Sequence, residues 1–243
     1  MLTVFRKEIN LFFSSLIAYL VIAVFLVING VFLWLLPSSD ILSEGYASLE
    51  QLFSISPYVF MFLVPAVTMR MFAEERKTGT IEILATKPIS DLQIVLGKFL
   101  AGTVLVLLAL LPTLVYFYTV YQLSNPAGNM DVGGTIGSYF GLFFIGAVYV
   151  SMGVFASSIT DNQIVSFILA FFFCFVSYSL FDWLTDLSDI SLLWQELLKG
   201  VGIQSHYTSI SRGVLDSRDL IYFLGVIAIF TALTKTQLAA RKW

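Results

Sequence analysis

Long apolar runs alternate with short polar joints along the whole chain. Six runs are long enough to cross about 30 Å of hydrocarbon as helices, which takes about 20 residues each. They are Leu16 to Leu36, Phe53 to Phe72, Phe99 to Tyr121, Ile136 to Ala156, Ile164 to Phe181 and Leu220 to Leu238. Backbone groups in hydrocarbon must be satisfied within the segment, and none of these runs has the alternating polar pattern of a barrel strand, so all six are predicted as helices. The second contains Ser54, Ser56, Pro57 and Pro65. It reaches full length if Pro57 sits in its first turn, where a missing N–H costs little. Pro65 and Pro112 fit either hinges or static kinks.

Composition agrees with this pattern. Of 243 residues, 58% are hydrophobic and only 12% charged, half the usual share for a soluble domain. An ordinary soluble globule is excluded, because too little polar surface remains to cover one. The expected fold is all-α, a single polytopic membrane domain spanning residues 1–243. Its longest stretch between spans, Asp182 to Asp219, is close to the size below which segments rarely fold alone. Arg6 and Lys7 before the first run resemble a secretory signal, but that run is too long and ends in Leu35-Leu36-Pro37-Ser38 without a small-residue cleavage site. It reads as a retained span. Cys174 lies in an apolar run and is expected to be a core or lipid-facing residue without a disulfide partner.

The basic residues orient the spans. Arg6, Lys7, Arg70, Arg76, Lys77, Lys87, Lys98, Lys235, Arg241 and Lys242 fall on one side, whereas Pro37 to Leu52 and Gln122 to Thr135 carry neither Lys nor Arg. The positive-inside rule then makes both termini cytoplasmic. Trp34, Tyr58, Tyr116, Tyr118, Tyr121, Tyr139, Trp183 and Tyr222 gather near the outer edge as an aromatic belt would. Within the spans the charges are Arg70, Lys98 and Lys235, all near cytoplasmic ends where long side chains are expected to reach water. No ionisable group sits near the midplane to serve a proton or ion relay, so any driving energy is expected from outside the chain.

Enzyme readings find little support. The residues around Gly97-Lys98 lack the first glycine and the Ser/Thr of a phosphate loop. With one His and one Cys, a metal site of nitrogen and sulfur is not expected. Asp161, Asp182 and Asp186 lie at span edges, not paired inside a span as an intramembrane aspartyl protease requires. His206 is read as a solvated or capping residue in a polar loop.

The segment 73–93 between the second and third spans has internal form. Gly79 and Thr80 break it, Thr80 to Ala85 can form a short helix with Ile81, Leu84 and Ala85 on one side, and Pro88 ends that helix. Ser90 with Gln93 is a capping box for the helix that follows. With Glu74, Glu75, Arg76 and Lys77 beside it, the short helix fits a rigid knob offered to a cytoplasmic partner. It fits equally an interfacial helix on headgroups with a solvated charge run. A second short amphipathic helix, 189–199, is predicted outside the last span from Ile190, Leu193, Trp194, Leu197 and Leu198, bounded by Asp189 and Gly200. It reads as a helix lying in the outer leaflet interface, a passive cap. Gly137-Ser-Tyr-Phe-Gly141 offers a small-residue face for internal or intersubunit helix packing.

Glu74 to Ser90, followed by Gly97-Lys98, resembles the E-(E)-(K/R)-x-x-G-T-L-E-x-L-L-x-x-P-(I/V)-S…G-K signature of type-2 ABC transporter permeases. The correspondence falls on Glu75, Gly79, Thr80, Glu82, Leu84, Pro88, Gly97 and Lys98, with Ile81 and Ala85 where leucines are frequent. The resemblance implies that this loop carries the coupling helix, with Glu74, Glu75, Arg76, Ile81 and their neighbours contacting a cytoplasmic ABC ATPase subunit. Glu82 and Glu75 would orient the helix and Pro88 would fix its exit. It also implies a second permease copy or paralogue, and ATP and Mg held by the ATPase with no cofactor in this chain. Localisation would be the bacterial inner membrane, and the 189–199 helix would gate the outer opening. Stretches such as Ile17 to Leu26, Pro65 to Arg70, Leu110 to Leu114, Asn125 to Asn129 and Ser211 to Phe223 resemble the gliding-motility-associated permease subunits, which implies a membrane partner with a periplasmic domain. Permeases linked to copper-enzyme maturation share much of this framework. A mechanical role without a translocated substrate and a scaffold without an ATPase are the other readings.

Overall fold

In a computed structural model, residues 1–36, 41, 47–85, 88–186, 192–214 and 216–240 are described. Every regular element among them is a helix. Six helical segments are long and apolar enough to cross a membrane: Leu16–Trp34, Glu50–Lys77, Asp91–Leu123, Val132–Ile159, Gln163–Thr185 and Ser217–Ala239.

The chain opens with α1 (Leu2–Ser14), an amphipathic helix that no apolar run announced. Val4, Glu8 and Phe12 are its buried residues, spaced by four so that they share one face. Extended Ser15 separates it from α2 (Leu16–Trp34), the first span. The second span comprises α3 (Glu50–Thr68) and α4 (Arg70–Lys77), and α5 (Thr80–Ala85) follows. The third is α6 (Asp91–Leu110), a single 3₁₀ turn holding Pro112, and α7 (Leu114–Leu123). The fourth, α8 (Val132–Ile159), is one unbroken helix. The fifth joins α9 (Gln163–Phe175) through a π-helical stretch, Val176–Leu180, to α10 (Phe181–Asp186). Two short helices, α11 (Leu192–Val201) and α12 (Ile203–Ser211), precede the last span, α13 (Ser217–Ala239).

The expected turn chemistry is present. Ser90 and Gln93 form the reciprocal capping box of α6, and Asp131, Asn162 and Asp216 cap α8, α9 and α13 with side-chain oxygens. α8 is the centre of the bundle: 78% of its most apolar window is buried, against 28% for the first and fifth spans and 22% for the last. The outward faces of those three carry Val27, Ile168, Phe172, Ile221 and Ile229, all exposed. Apolar side chains on the outside and close packing within are what a bilayer solvent asks for. Gly137 and Gly141 serve internal packing. A Cβ on Gly137 would lie 2.3 Å from the Ile210 carbonyl, and one on Gly141 would lie 2.6 Å from the Tyr207 ring, so α12 sits directly against α8. Cys174 is fully buried and unbonded.

Two expectations need correction here. Pro57 is not in a first turn, since α3 starts at Glu50 and runs through both Pro57 and Pro65. A proline in the interior leaves the carbonyl four residues back without its donor, and for Pro57 that is Phe53. The hydroxyl of Tyr207, on α12, donates to that carbonyl at 3.1 Å, so another helix replaces the missing bond. His206 is not in a polar loop. It lies on α12, with Nδ1 2.7 Å from Asp219 Oδ1, Nε2 3.1 Å from the Gly200 carbonyl oxygen and the ring stacked on Tyr222.

Candidate functional site

Three of the motif residues, Glu75, Gly97 and Lys98, meet where α1, α4 and the start of α6 come together. Lys98 follows Gly97 in the second turn of α6 and is fully buried. Its Nζ lies 2.7 Å from Glu8 Oε1 on α1 and 2.9 Å from Glu75 Oε1 on α4. It also donates to the Met71 carbonyl and stands over the Phe72 ring, 4.8 Å from its centroid. Lys7 donates to Glu75 from the other side. Glu8 and Glu75 are themselves only 3% and 8% exposed. This corrects the expectation that Lys98 reaches water. Two lysines and two glutamates form a neutral cluster, and only such pairing offsets the cost of removing the charges from water.

Gly97 makes the approach possible. A Cβ there would lie 3.0 Å from Val4 Cβ and 3.1 Å from the Met1 carbonyl oxygen, both on α1. The glycine brings α1 close and the next residue supplies the charge that Glu8 meets. Burial works against the Lys7 ammonium, but its hydrogen bond with Glu75 and the carboxylates of Glu75 and Glu8 outweigh it and raise its pKa above the ordinary lysine value.

The second span breaks at Met69, and α8 supplies the stitch. Ser157 Oγ accepts from the Phe72 and Ala73 N–H groups at 2.9 and 3.0 Å and donates to the Met69 carbonyl at 3.0 Å. Those amides belong to the first turn of α4, where donors lack partners within the helix. Arg76 Nη1 donates to the Ile159 carbonyl at the end of α8, 3.1 Å away. At the other end of α4, Thr78 Oγ1 donates to the Glu74 carbonyl at 2.8 Å. Gly79 then takes φ +70, the left-handed conformation that ends a helix most cheaply in glycine. α5 begins at the next residue, as the break at Gly79-Thr80 predicts.

Glu75, Arg76, Gly79 and Thr80 are thus brought together around this joint, and Ile81 is buried on the core. Glu74, Thr80, Glu82 and Pro88 are exposed. Of the two glutamates expected to orient the short helix, Glu75 lies in the ion-pair cluster and Glu82 faces outward. The side chain of Leu84 lies outside the described residues. So does Ile190, together with the side chains of Leu193 and Trp194. In α11 Leu197 is exposed and Leu198 half-buried, and the helix continues past the expected stop at Gly200 to Val201. The residues that sequence reasoning missed are Glu8, Lys7 and Ser157. The spacing of Val4, Glu8 and Phe12 held the one available signal, a carboxylate on an otherwise apolar helix face.

Among the described residues no group of His, Cys, Asp and Glu is arranged to hold a metal. The site is a joint of helices held by buried charge, with Glu74, Thr80 and Glu82 exposed beside it. A family model described as ABC-2 family transporter protein matches residues 2–242. Comparison with curated proteins gives no match.

Proposed function

We propose that this chain, which belongs to the ABC-2 family of transporter proteins and is a multi-pass membrane permease subunit of an ABC transporter, takes its drive from a separate cytoplasmic ATPase subunit through the α4–α5 joint. The observation that carries this reading is the buried cluster of Glu8, Lys98, Glu75 and Lys7, which fastens the joint to α1 and to the third span. ATP and Mg are held by the partner. Closure of the ATPase pair pushes on the exposed face around Thr80, Glu82 and Pro88. A joint fixed by paired buried charges passes that push into the spans instead of absorbing it. Two such permease chains, identical or paralogous, frame a path that opens alternately to either side. Both termini and the Lys98 end then face the cytoplasm of a bacterial inner membrane, in keeping with the bias of Lys and Arg to that side.

The finer assignment is to the gliding-motility-associated permeases, with a membrane partner bearing a periplasmic domain, and it rests on sequence resemblance. Service in copper-enzyme maturation, or mechanical work on the envelope without a translocated substrate, are the alternatives within the same architecture. The test is purification of the chain with its native partners in mild detergent, wild type beside Leu84→Arg. The wild type is expected to carry an ATPase subunit that the variant loses while keeping its elution position. Absence of an ATPase from a folded wild type overturns the proposal and leaves a scaffold.

A further inference from the structure

The last four carbonyls of α11, like those of any helix, have no partner within it. Leu198 accepts the Gly202 N–H from the chain itself, at 3.2 Å. The other three are met by side chains. The Ser205 hydroxyl donates to the Lys199 carbonyl, the Tyr222 hydroxyl donates to the Val201 carbonyl, and His206 Nε2 lies 3.1 Å from the Gly200 carbonyl oxygen. Ser205 and His206 stand on α12 and Tyr222 on α13, so the exit of α11 is fastened to both. α12 in turn sits against α8 at Gly137, about 30 Å along that helix from Ser157 and the Lys98 joint.

His206 is the member of this set whose bonds depend on protons. A neutral imidazole has one N–H and one lone pair. Both ring nitrogens of His206 face acceptors, Nδ1 the Asp219 carboxylate at 2.7 Å and Nε2 the Gly200 carbonyl. With one proton the ring makes one bond and turns its lone pair on an oxygen at the other side. With two protons it makes both bonds. Asp219 calls for the same state. It is 6% exposed, Oδ2 has no hydrogen-bond partner among the described residues, and a buried carboxylate without a paired cation is costly. The ring lies flat on Tyr222, 3.9 Å between centroids and 18° between planes, so an imidazolium also rests on an aromatic face. The carbonyl end of α11 adds the negative end of a helix dipole.

The surrounding elements bring other charged or titratable groups. They are Arg218, Asp219 and Tyr222 on α13, Glu196 and Lys199 on α11, Tyr178 in the π-helical stretch, Asp182 on α10 and Tyr207 on α12 itself; α8 brings two tyrosines and no charged residue. Of these side-chain types and histidine, histidine is the one that ordinarily changes charge between about pH 5 and 8. The His206 side chain is 18% exposed, so it can exchange a proton with water.

We propose that His206 and Asp219 form a proton-binding site that latches the exit of α11 to α12 and α13. The latch is closed while the ring carries two protons. When one passes to water the remaining N–H stays with the Asp219 carboxylate, the bond to Gly200 is lost and the end of α11 is freed. With the Lys98 end cytoplasmic, the latch faces the outside and answers to external pH. It needs this chain alone, so its failure and a failure of the ATPase reading are separate results.

The test uses the full chain in nanodiscs, purified without a histidine tag, labelled with ¹⁵N-histidine and carrying a nitroxide at Leu197→Cys. His206 is the single histidine, so one ring reports in NMR. Leu197 is exposed and Cys174 fully buried, so the new cysteine takes the label. At about pH 5 both ring nitrogens are expected to bear protons and the label to be restrained. At about pH 8 one N–H should be gone, and the mobile-to-restrained ratio of the label should rise about tenfold, the value of one hydrogen bond to a charged group. Asp219→Asn separates the latch from general sensitivity to pH. Its amide donates to Nδ1 and leaves Nε2–H for Gly200, so a neutral ring makes both bonds and the label should stay restrained at both pH values. His206→Phe keeps the stacking and makes neither bond, so its label should be mobile at both. Thermal unfolding of each variant reports intact folding. A ring with one N–H at both pH values, a wild-type label equally mobile at both, or a folded Asp219→Asn chain that keeps the full response overturns the proposal.

Discussion

The two ends of α8 treat buried polarity in opposite ways. At the Lys98 end two lysines and two glutamates are paired with one another, both lysines meeting Glu75 at Oε1 while its buried Oε2 has no hydrogen-bond partner among the described residues. At the α12 end one histidine and one aspartate hold the exit of α11, and the bond from ring to carbonyl lasts only while the pair keeps its proton. A closed charge cluster resists deformation, because separating its members exposes each to a low dielectric unpaired. A pair that depends on one exchangeable proton is undone by a change of pH. On the proposed function, the paired-charge end is the one that transmits force.

The sharpest way to break this comparison is Lys98→Met, which strands Glu8 and Glu75 in the interior with only Lys7 for company. The expected loss is about 3–5 kcal/mol, read as a large drop in unfolding temperature and in yield from detergent. Adding Glu8→Gln should recover part of the loss, and no recovery would show that the charges are not what closes the joint. Smaller effects follow from single hydrogen bonds. Tyr207→Phe leaves the Phe53 carbonyl without a donor beside Pro57, and Ser157→Ala orphans two amides of α4. Each should cost about 1–3 kcal/mol in thermal unfolding. Tyr149→Phe should fall within about 0.5 kcal/mol of wild type, although it too removes a buried tyrosine hydroxyl, because that hydroxyl has no partner among the described residues. Equal losses for Tyr207→Phe and Tyr149→Phe would show that the Phe53 carbonyl does not depend on Tyr207. The smallest effect concerns Lys7. Its folded pKa is raised, so its contribution is complete below the ordinary lysine value near 10.5 and fades as pH climbs through the raised value. Alkaline titration of unfolding should therefore lose stability above that pH in the wild type and less so in Lys7→Met.

Much of the fold can be read along the chain, because a span needs about 20 apolar residues and little else resembles that. The capping box at Ser90 and the break at Gly79 are equally local, and both appear as the residues predict. What local pattern does not carry is pairing over distance. Lys98 reads as a lysine able to reach water, since nothing near it in sequence shows Glu8 ninety positions away. Pro57 reads as a first-turn residue, because the donor that lets it sit inside α3 is Tyr207, on α12. His206 reads as loop because α12 is short and polar. The π-helical stretch leaves no mark in composition, so it was invisible until the backbone was known.

The most direct test of the transmitting joint is ATP turnover by the chain reconstituted with its ATPase subunit, wild type beside Glu8→Gln with Lys98→Met. That pair of changes removes one positive and one negative charge and leaves Glu75 with Lys7. The account predicts that the ATPase still binds and that the chain's effect on its turnover falls at least about tenfold, within the usual range of coupling energies. A fully bound ATPase with turnover indistinguishable from wild type would contradict it.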